Sequence, residues 1–129
     1  MPSEIVVPAG ANPPSGPFAP ATLATGTRVL SVSGQIADRP DGSIAGVDDA
    51  EEQARQCLRN IDALLQSAGA TRDDIVKIGV FLTDISDRAA VGRARSEYFG
   101  DHRPASTLFE VSRLVLPELR VEIEATAIF

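Results

Sequence analysis

Between Asp48 and Ala68 the apolar residues Ala50, Ala54, Cys57, Leu58, Ile61, Leu64, Leu65 and Ala68 recur mostly at three- and four-residue steps. That is the period of a helix with one buried stripe. Asp48 with Glu51 reads as a capping-box start and Gly69 as the stop, so the spacing predicts a helix of about five to six turns. Shortly beyond it the period changes to two. In Ile75–Leu82, Val76, Ile78, Val80 and Leu82 fall on one face and Lys77, Gly79 and Phe81 on the other, a strand with one packed side. A one-sided helix followed by a one-sided strand asks for a layered fold in which the two apolar faces meet.

The flanking segments extend this pattern. Glu4–Val7 is read as a short edge strand, and Thr27–Gln35, β-branched and partly alternating, as a strand running into Ser33-Gly34. Between them, residues 8–20 hold five of the nine prolines and two of the ten glycines, which no regular element survives. Asp38–Ser43 is turn chemistry. A second helix is expected from about Ser86 to Tyr98, burying Val91, Ala94 and Tyr98 and ending at Gly100, with Gly92 as a weak point. Ser106–Ser112 and Arg120–Phe129 read as strands. The order β-β-α-β-α-β-β, without an internal repeat, predicts one α+β domain over residues 1–129, with two helices on one face of a mixed sheet. The other face would carry Phe81, Glu122, Glu124 and Ile128, a mixture that suits cover by another subunit.

Charge and composition exclude several kinds of chemistry. With 18 acidic residues against 12 basic ones, the net charge of −6 argues against a nucleic-acid partner, whose phosphates demand clustered Lys and Arg. One histidine and one cysteine argue against most structural zinc sites and a His-centred triad within a single chain, so no metal is expected. Cys57 lies in the buried stripe and is read as inert core. There is no G-x-G, and Gly42 with Gly46 lacks both the spacing and the lysine of a phosphate loop. The start Met-Pro-Ser-Glu has no leader pattern and no stretch approaches about 20 apolar residues, so a soluble cytoplasmic protein without a membrane partner is expected.

Carboxylates, arginines, hydroxyls and backbone groups remain. Glu122 and Glu124 stand two apart on a strand and therefore share a side, about 6.6 Å apart at Cα. A carboxylate partly buried at a subunit boundary can act as a general base towards water. The plainer alternative is that both are solvated or paired with Arg113 and Arg120. His102, in the loop after the second helix, is read as exposed. Ser33-Gly34-Gln35 at a strand end offers a hydroxyl, backbone N–H groups and an amide to a small polar ligand.

Taken together, Gly16-Pro17-Phe18-Ala19-Pro20-Ala21, Val32-Ser33-Gly34-Gln35-Ile36, Leu58-x-Asn60-Ile61, Ala68-Gly69-Ala70, Val80-Phe81-Leu82-Thr83-Asp84, Tyr98-Phe99, Arg103-Pro104-Ala105-Ser106-Thr107 and Val121-Glu122-Ile123-Glu124-Ala125 resemble the Rid family, the reactive intermediate deaminases, also called YjgF-like. The likeness runs over nearly the whole chain in order. It implies a chorismate-mutase-like subunit of the bacillus type and a homotrimer with small-molecule clefts between neighbouring subunits. It also implies cofactor-free addition of water to a 2-imino or 2-enamino acid, releasing ammonia and leaving the 2-oxo acid. In that scheme an arginine grips the substrate carboxylate through its planar fork and a glutamate handles the water.

The glutamate maps to Glu122, and Ser33, Gly34 and Gln35 are retained. The arginine does not follow: the usual Pro-Ala-Arg-Ser reads Pro104-Ala105-Ser106-Thr107, with Ser106 in its place. A tyrosine common in the first segment is Phe18, and an asparagine common in the second helix is Gly92. Losing a charge-assisted bidentate contact should weaken affinity for small imino acids by about an order of magnitude or more. Phe18 and Leu108 make the expected cleft more apolar. Arg103, Arg113 or Arg120 could reach the vacant position. The expected function is therefore a divergent imine or enamine hydrolase using Glu122. The alternative is a trimeric binding or regulatory module without catalysis, and a ribonuclease or translation inhibitor is the reading least suited to the acidic charge.

Overall fold

The computed structural model describes residues 3–10, 12 and 16–129. Within the proline-rich loop expected over residues 8–20, residues 11 and 13–15 lie outside the described residues.

Eight elements follow in order: β1 (Glu4–Ile5), β2 (Thr22–Leu23), β3 (Val29–Gln35), α1 (Ala50–Ala68), β4 (Ile75–Leu82), α2 (Arg88–Phe99), β5 (Ala105–Glu110) and β6 (Val121–Ile128). Single 3-10 turns at Arg72–Asp74 and Ile85–Asp87 lead into β4 and α2. The main sheet has the order β3-β6-β4-β5. Its pairs are antiparallel except β4 with β5, which are parallel and joined through α2. Both helices cover one face, as expected from the one-sided patterns. β1 does not join this sheet as an edge strand: it pairs with β2 in a separate ribbon, an element too short for periodicity to reveal.

α1 buries Ala54, Cys57, Leu58, Ile61 and Leu65 against Ile78, Val80, Leu82, Val121, Ile123 and Ala125 of the sheet. Each large side chain removed from water here contributes about 1.5 to 3 kcal/mol before entropy is counted. The N-cap is Asp49 rather than Asp48; its carboxylate accepts from Glu52 N at 3.1 Å, and Asp48 instead takes a left-handed φ of 64°. With two adjacent acids, the choice rests on which one the entering chain leaves in extended geometry, and that is Asp49. Gly69 closes the helix in left-handed conformation with its N–H directed to Gln66 O and Leu65 O. Burial pushes the Cys57 thiol up to about 12, helped by the negative charges of Glu122 and Asp38, which keeps it protonated and unreactive.

In β4 the register slips between Ile75 and Lys77, so Ile75 rather than Val76 takes the core position. A slip of this kind is invisible to alternation in a single strand. α2 begins at Arg88, two residues beyond the expected start, because Asp84 caps a 3-10 turn through Ser86 N. It buries Val91, Ala94 and Phe99, while Tyr98 is half-buried and donates its hydroxyl to Asp62 Oδ1 at 2.7 Å. His102 is not free in solvent: its ring bonds Ile75 O at 2.7 Å and stands 5.9 Å from the Phe99 ring, pinning the loop before β5 to β4. The alternation of β6 leaves Glu122, Glu124, Thr126 and Ile128 off the core side, with Phe81 beside Glu122 across the ladder. Among the described residues no helix packs on this face of the sheet. Among the described residues no helix is long and apolar enough to cross a membrane.

Candidate active site

The open sheet face holds its two glutamates by an arrangement that depends on glycine. Between Val32 and Gln35 the ladder from β3 to β6 slips by one residue, and Ser33 and Gly34 occupy the slip. A Cβ at Gly34 would overlap Glu122 Oε2 outright and lie 2.8 Å from the carboxyl carbon, so only glycine lets the Glu122 side chain rest on the β3 backbone. Gly79 on β4 does the same for Glu124, whose Oε1 would stand 2.9 Å from a Cβ there. Neither glutamate has an ion-pair partner among the described residues. Of the plainer alternative, solvated or paired with Arg113 and Arg120, the pairing does not form: Arg113 is exposed, Arg120 reaches Asp87 at 3.2 Å and Asp48 at 3.7 Å, and Glu124 is exposed.

Asn60 of α1 holds the chain end that leads out of β3. Its side-chain amide donates to Ile36 O at 3.0 Å and to Asp38 O at 2.9 Å, while its own oxygen accepts from Gln56 Nε2 at 3.0 Å. The Leu-x-Asn-Ile segment thus buries Leu58 and Ile61 in the core and uses Asn60 to fix the Ser33-Gly34-Gln35 corner. Gln35 donates to Ser33 O at 2.9 Å, tightening the same corner. Ser33 and Gly34 are exposed and Glu122 is half-buried, so a small molecule could approach the carboxylate from the open side. Towards β5 that face also has a hollow of about 220 Å³, lined by Lys77, Phe81, Thr107, Phe109 and Glu124. Phe81 and Phe109 meet edge to face there, 5.1 Å between centroids.

Ser106 and Leu108 stand elsewhere. They pair across the ladder with Ile78 and Val80, both core residues, so their side chains emerge on the helix side of the edge strand β5. Leu108 packs partly buried on the core. Phe18 is carried to the same edge by Ala19, whose N–H bonds Pro104 O at 3.1 Å and which bridges to Ala105. Within one chain the expected site residues therefore fall into two groups on opposite faces: Ser33, Gly34, Gln35 and Glu122 on the open face, and Phe18, Ser106 and Leu108 at the β5 edge.

Of the arginines that could fill the Ser106 position, none touches it. Arg103 donates to Gly100 O at 2.6 Å and His102 O at 3.4 Å, and Arg113 and Arg120 lie as described. The residue that sequence reasoning missed is Arg95 of α2, whose Nη1 donates to Ser106 Oγ at 2.9 Å and whose guanidinium carbon lies 5.9 Å from the Phe18 ring centre. Its signal was three-residue spacing from Gly92, which carries meaning only once α2 is known to pass under the β5 edge. Among the described residues no cluster of His, Cys, Asp and Glu could hold a metal ion. A larger hollow of about 630 Å³ lies between α1 and α2, but its polar groups answer one another: Tyr98 bonds Asp62, and Arg55 joins Glu97 at 3.0 Å. It shares no residue with either group.

A mixed sheet backed by two helices, with a glycine-seated carboxylate on its other face, defines a small α+β subunit. The sequence profile of the family described as Endoribonuclease L-PSP matches residues 9–129. A RutC family protein of Pyrococcus abyssi is 37% identical over 127 residues, 98% of each chain. Among solved structures, the Rid-family protein YyfB of Yersinia pestis superposes with a TM-score of 0.89 at 32% identity, covering 100% of both chains. TdcF of E. coli, solved with bound serine, gives 0.73 at 31% identity over 98% of each. The chain belongs to this family, the YjgF or Rid group.

Proposed function

We propose that this protein is a cofactor-free hydrolase of a small imine or enamine, working as a cytoplasmic homotrimer. The observation that carries this reading is the Glu122 carboxylate, half-buried, seated against Gly34 and without an ion-pair partner among the described residues. A carboxylate held in this way can take a proton from water as the water oxygen adds to the C=N carbon. Returning that proton to nitrogen completes the carbinolamine; the same carboxylate then carries the hydroxyl proton to nitrogen as the C–N bond breaks, so that ammonia leaves and the carbonyl remains. No electrons are transferred, and no metal or organic cofactor is needed.

Two observations support a site shared between subunits. Glu122 with Ser33–Gln35, and Phe18 with Ser106, emerge on opposite faces of one chain, so one site built from both groups would take the second from a neighbour. The Glu122 face also exposes Phe109 at 48% and Val29 at 66% of their surface, apolar area suited to a subunit boundary. That a structural relative was solved with serine supports a small polar ligand. The net charge of −6 argues against an RNA substrate.

The test generates an imino acid in situ and follows its loss by semicarbazide trapping, with oligomeric mass read by light scattering. The expected result is a trimer that accelerates imine loss, and Glu122→Gln should lower that rate by about 10²-fold or more. Turnover no faster than buffer, with unchanged small-molecule binding, would instead indicate a binding module. A monomer would refute the shared site.

A further inference from the structure

A half-buried guanidinium carries a fixed charge and five N–H donors, and it is stable only if partners replace the water it has lost. Arg55, Arg59, Arg93 and Arg120 each meet a carboxylate. Arg95, in α2, is half-buried and has no ion-pair partner among the described residues, in a chain with 18 acids to 12 bases. Its nearest polar contact is the neutral Ser106 hydroxyl at 2.9 Å, and its Nε is shut off from solvent and donates to nothing. Arg103 adds a second positive charge nearby, itself held by backbone carbonyls and, among the described residues, by no acid. Desolvation, and then the charge of Arg103, push the Arg95 guanidinium below its ordinary pKa. Two like charges in a partly dried corner are costly without an anion and relieved by one.

The local helix geometry leaves room for that anion. Gly92, one helical turn before Arg95, brings no side chain to this corner, and a Cβ there would meet nothing within 4 Å. Phe18 lies across the guanidinium and offers an apolar wall beside the charge.

We infer that Arg95 is the anion-gripping residue of this protein, reaching the Ser106 position from α2 and taking the carboxylate of a small 2-oxo or 2-imino acid. Ser106 Oγ accepts from Nη1 and orients the guanidinium fork, and Gly92 provides the open space in front of it. The ligand is a substrate only insofar as the hydrolase reading holds, and the test therefore reads binding apart from turnover.

Pyruvate and its neutral amide are titrated calorimetrically into the wild-type protein and into Arg95→Gln, Gly92→Asp and Arg93→Gln, with trimer mass and melting temperature checked for each. Arg93 lies on the same helix, bonded to Glu51, and its replacement makes the same change in net charge. Arg95→Gln should weaken pyruvate at least about tenfold and leave the amide within about twofold. Gly92→Asp, which sets an internal carboxylate three residues before Arg95, should do the same without removing the arginine. Arg93→Gln should leave pyruvate within about twofold. Pyruvate binding no tighter than that of the amide, a wild-type-like affinity in Arg95→Gln, or an equal loss in Arg93→Gln overturns the inference. Absent imine turnover with Arg95-dependent pyruvate binding removes the hydrolase reading and supports this one; Glu122-dependent turnover with Arg95-independent binding does the reverse.

Discussion

Replacing Gly34 with alanine isolates the geometry of the Glu122 carboxylate from its chemistry. The added Cβ would lie 2.8 Å from Glu122 Cδ and 3.0 Å from Cγ, and would overlap Oε2. Ordinary carbon contacts begin near 3.5 Å, so the carboxyl carbon must retreat by about 0.7 Å and the oxygen by more. The atoms in the way are the far end of a flexible side chain, and turning it off its rotamer costs about 0.5 to 1.5 kcal/mol. Gly34 does not have a positive φ, so alanine fits the backbone and regains about 0.5 to 1 kcal/mol of chain entropy. The two nearly cancel, and Gly34→Ala should unfold in urea within about 1 kcal/mol of the wild type. Imine hydrolysis should nonetheless fall about 10²-fold, the usual consequence of moving a reacting group by 1 Å. Semicarbazide trapping measures the rate, and Glu122→Gln completes a cycle. If Gly34 acts through the carboxylate, the double variant is no slower than Glu122→Gln alone. Wild-type turnover in Gly34→Ala, or a rate loss that only tracks lost stability, would refute the reasoning.

Gln53 is fully buried on α1, donates from Nε2 to Glu118 O at 2.9 Å and accepts from Arg120 N at 2.8 Å, clamping the chain that enters β6. Gln53→Ala leaves two backbone groups unpaired and should cost about 2 to 5 kcal/mol in urea unfolding; a loss under about 1 kcal/mol would show that water replaces the clamp. Burial, and then the bond to Asp62, raise the Tyr98 phenol above its ordinary 10.0, so the folded protein holds that proton more tightly than the unfolded chain does. The resulting stability is complete below the unfolded value and is lost as pH rises past it. Urea midpoints should therefore fall above about pH 10 and fall less steeply in Tyr98→Phe; parallel curves would rule this out.

Much of the fold could be read from local pattern because local physics suffices for it. The three- and four-residue steps in α1, the alternation in β4 and β6, and the stop at Gly69 each reflect neighbours along the chain, and the structure retains all three. The departures have a shared cause. Asp49 rather than Asp48 caps α1, Ile75 rather than Val76 enters the core, and β2 exists at all because of how distant segments settle against one another. His102 becomes a clamp on β4 only because Ile75 O lies within reach of its ring.

The same division runs through the candidate site. Sequence by itself identified the family, singled out Glu122 and the Ser33-Gly34-Gln35 corner, and located the missing arginine at Ser106, since each is a residue type at a position in an ordered motif. What only the tertiary structure decided is why Gly34 and Gly79 must be glycines, that Asn60 ties the corner down, and that Arg95 stands at Ser106. Those contacts join residues from different elements, over 11 positions between Arg95 and Ser106 and 24 between Asn60 and Ile36. Periodicity along one element says which side a residue faces; the crossing of α2 beneath the edge of β5 determines what it meets there.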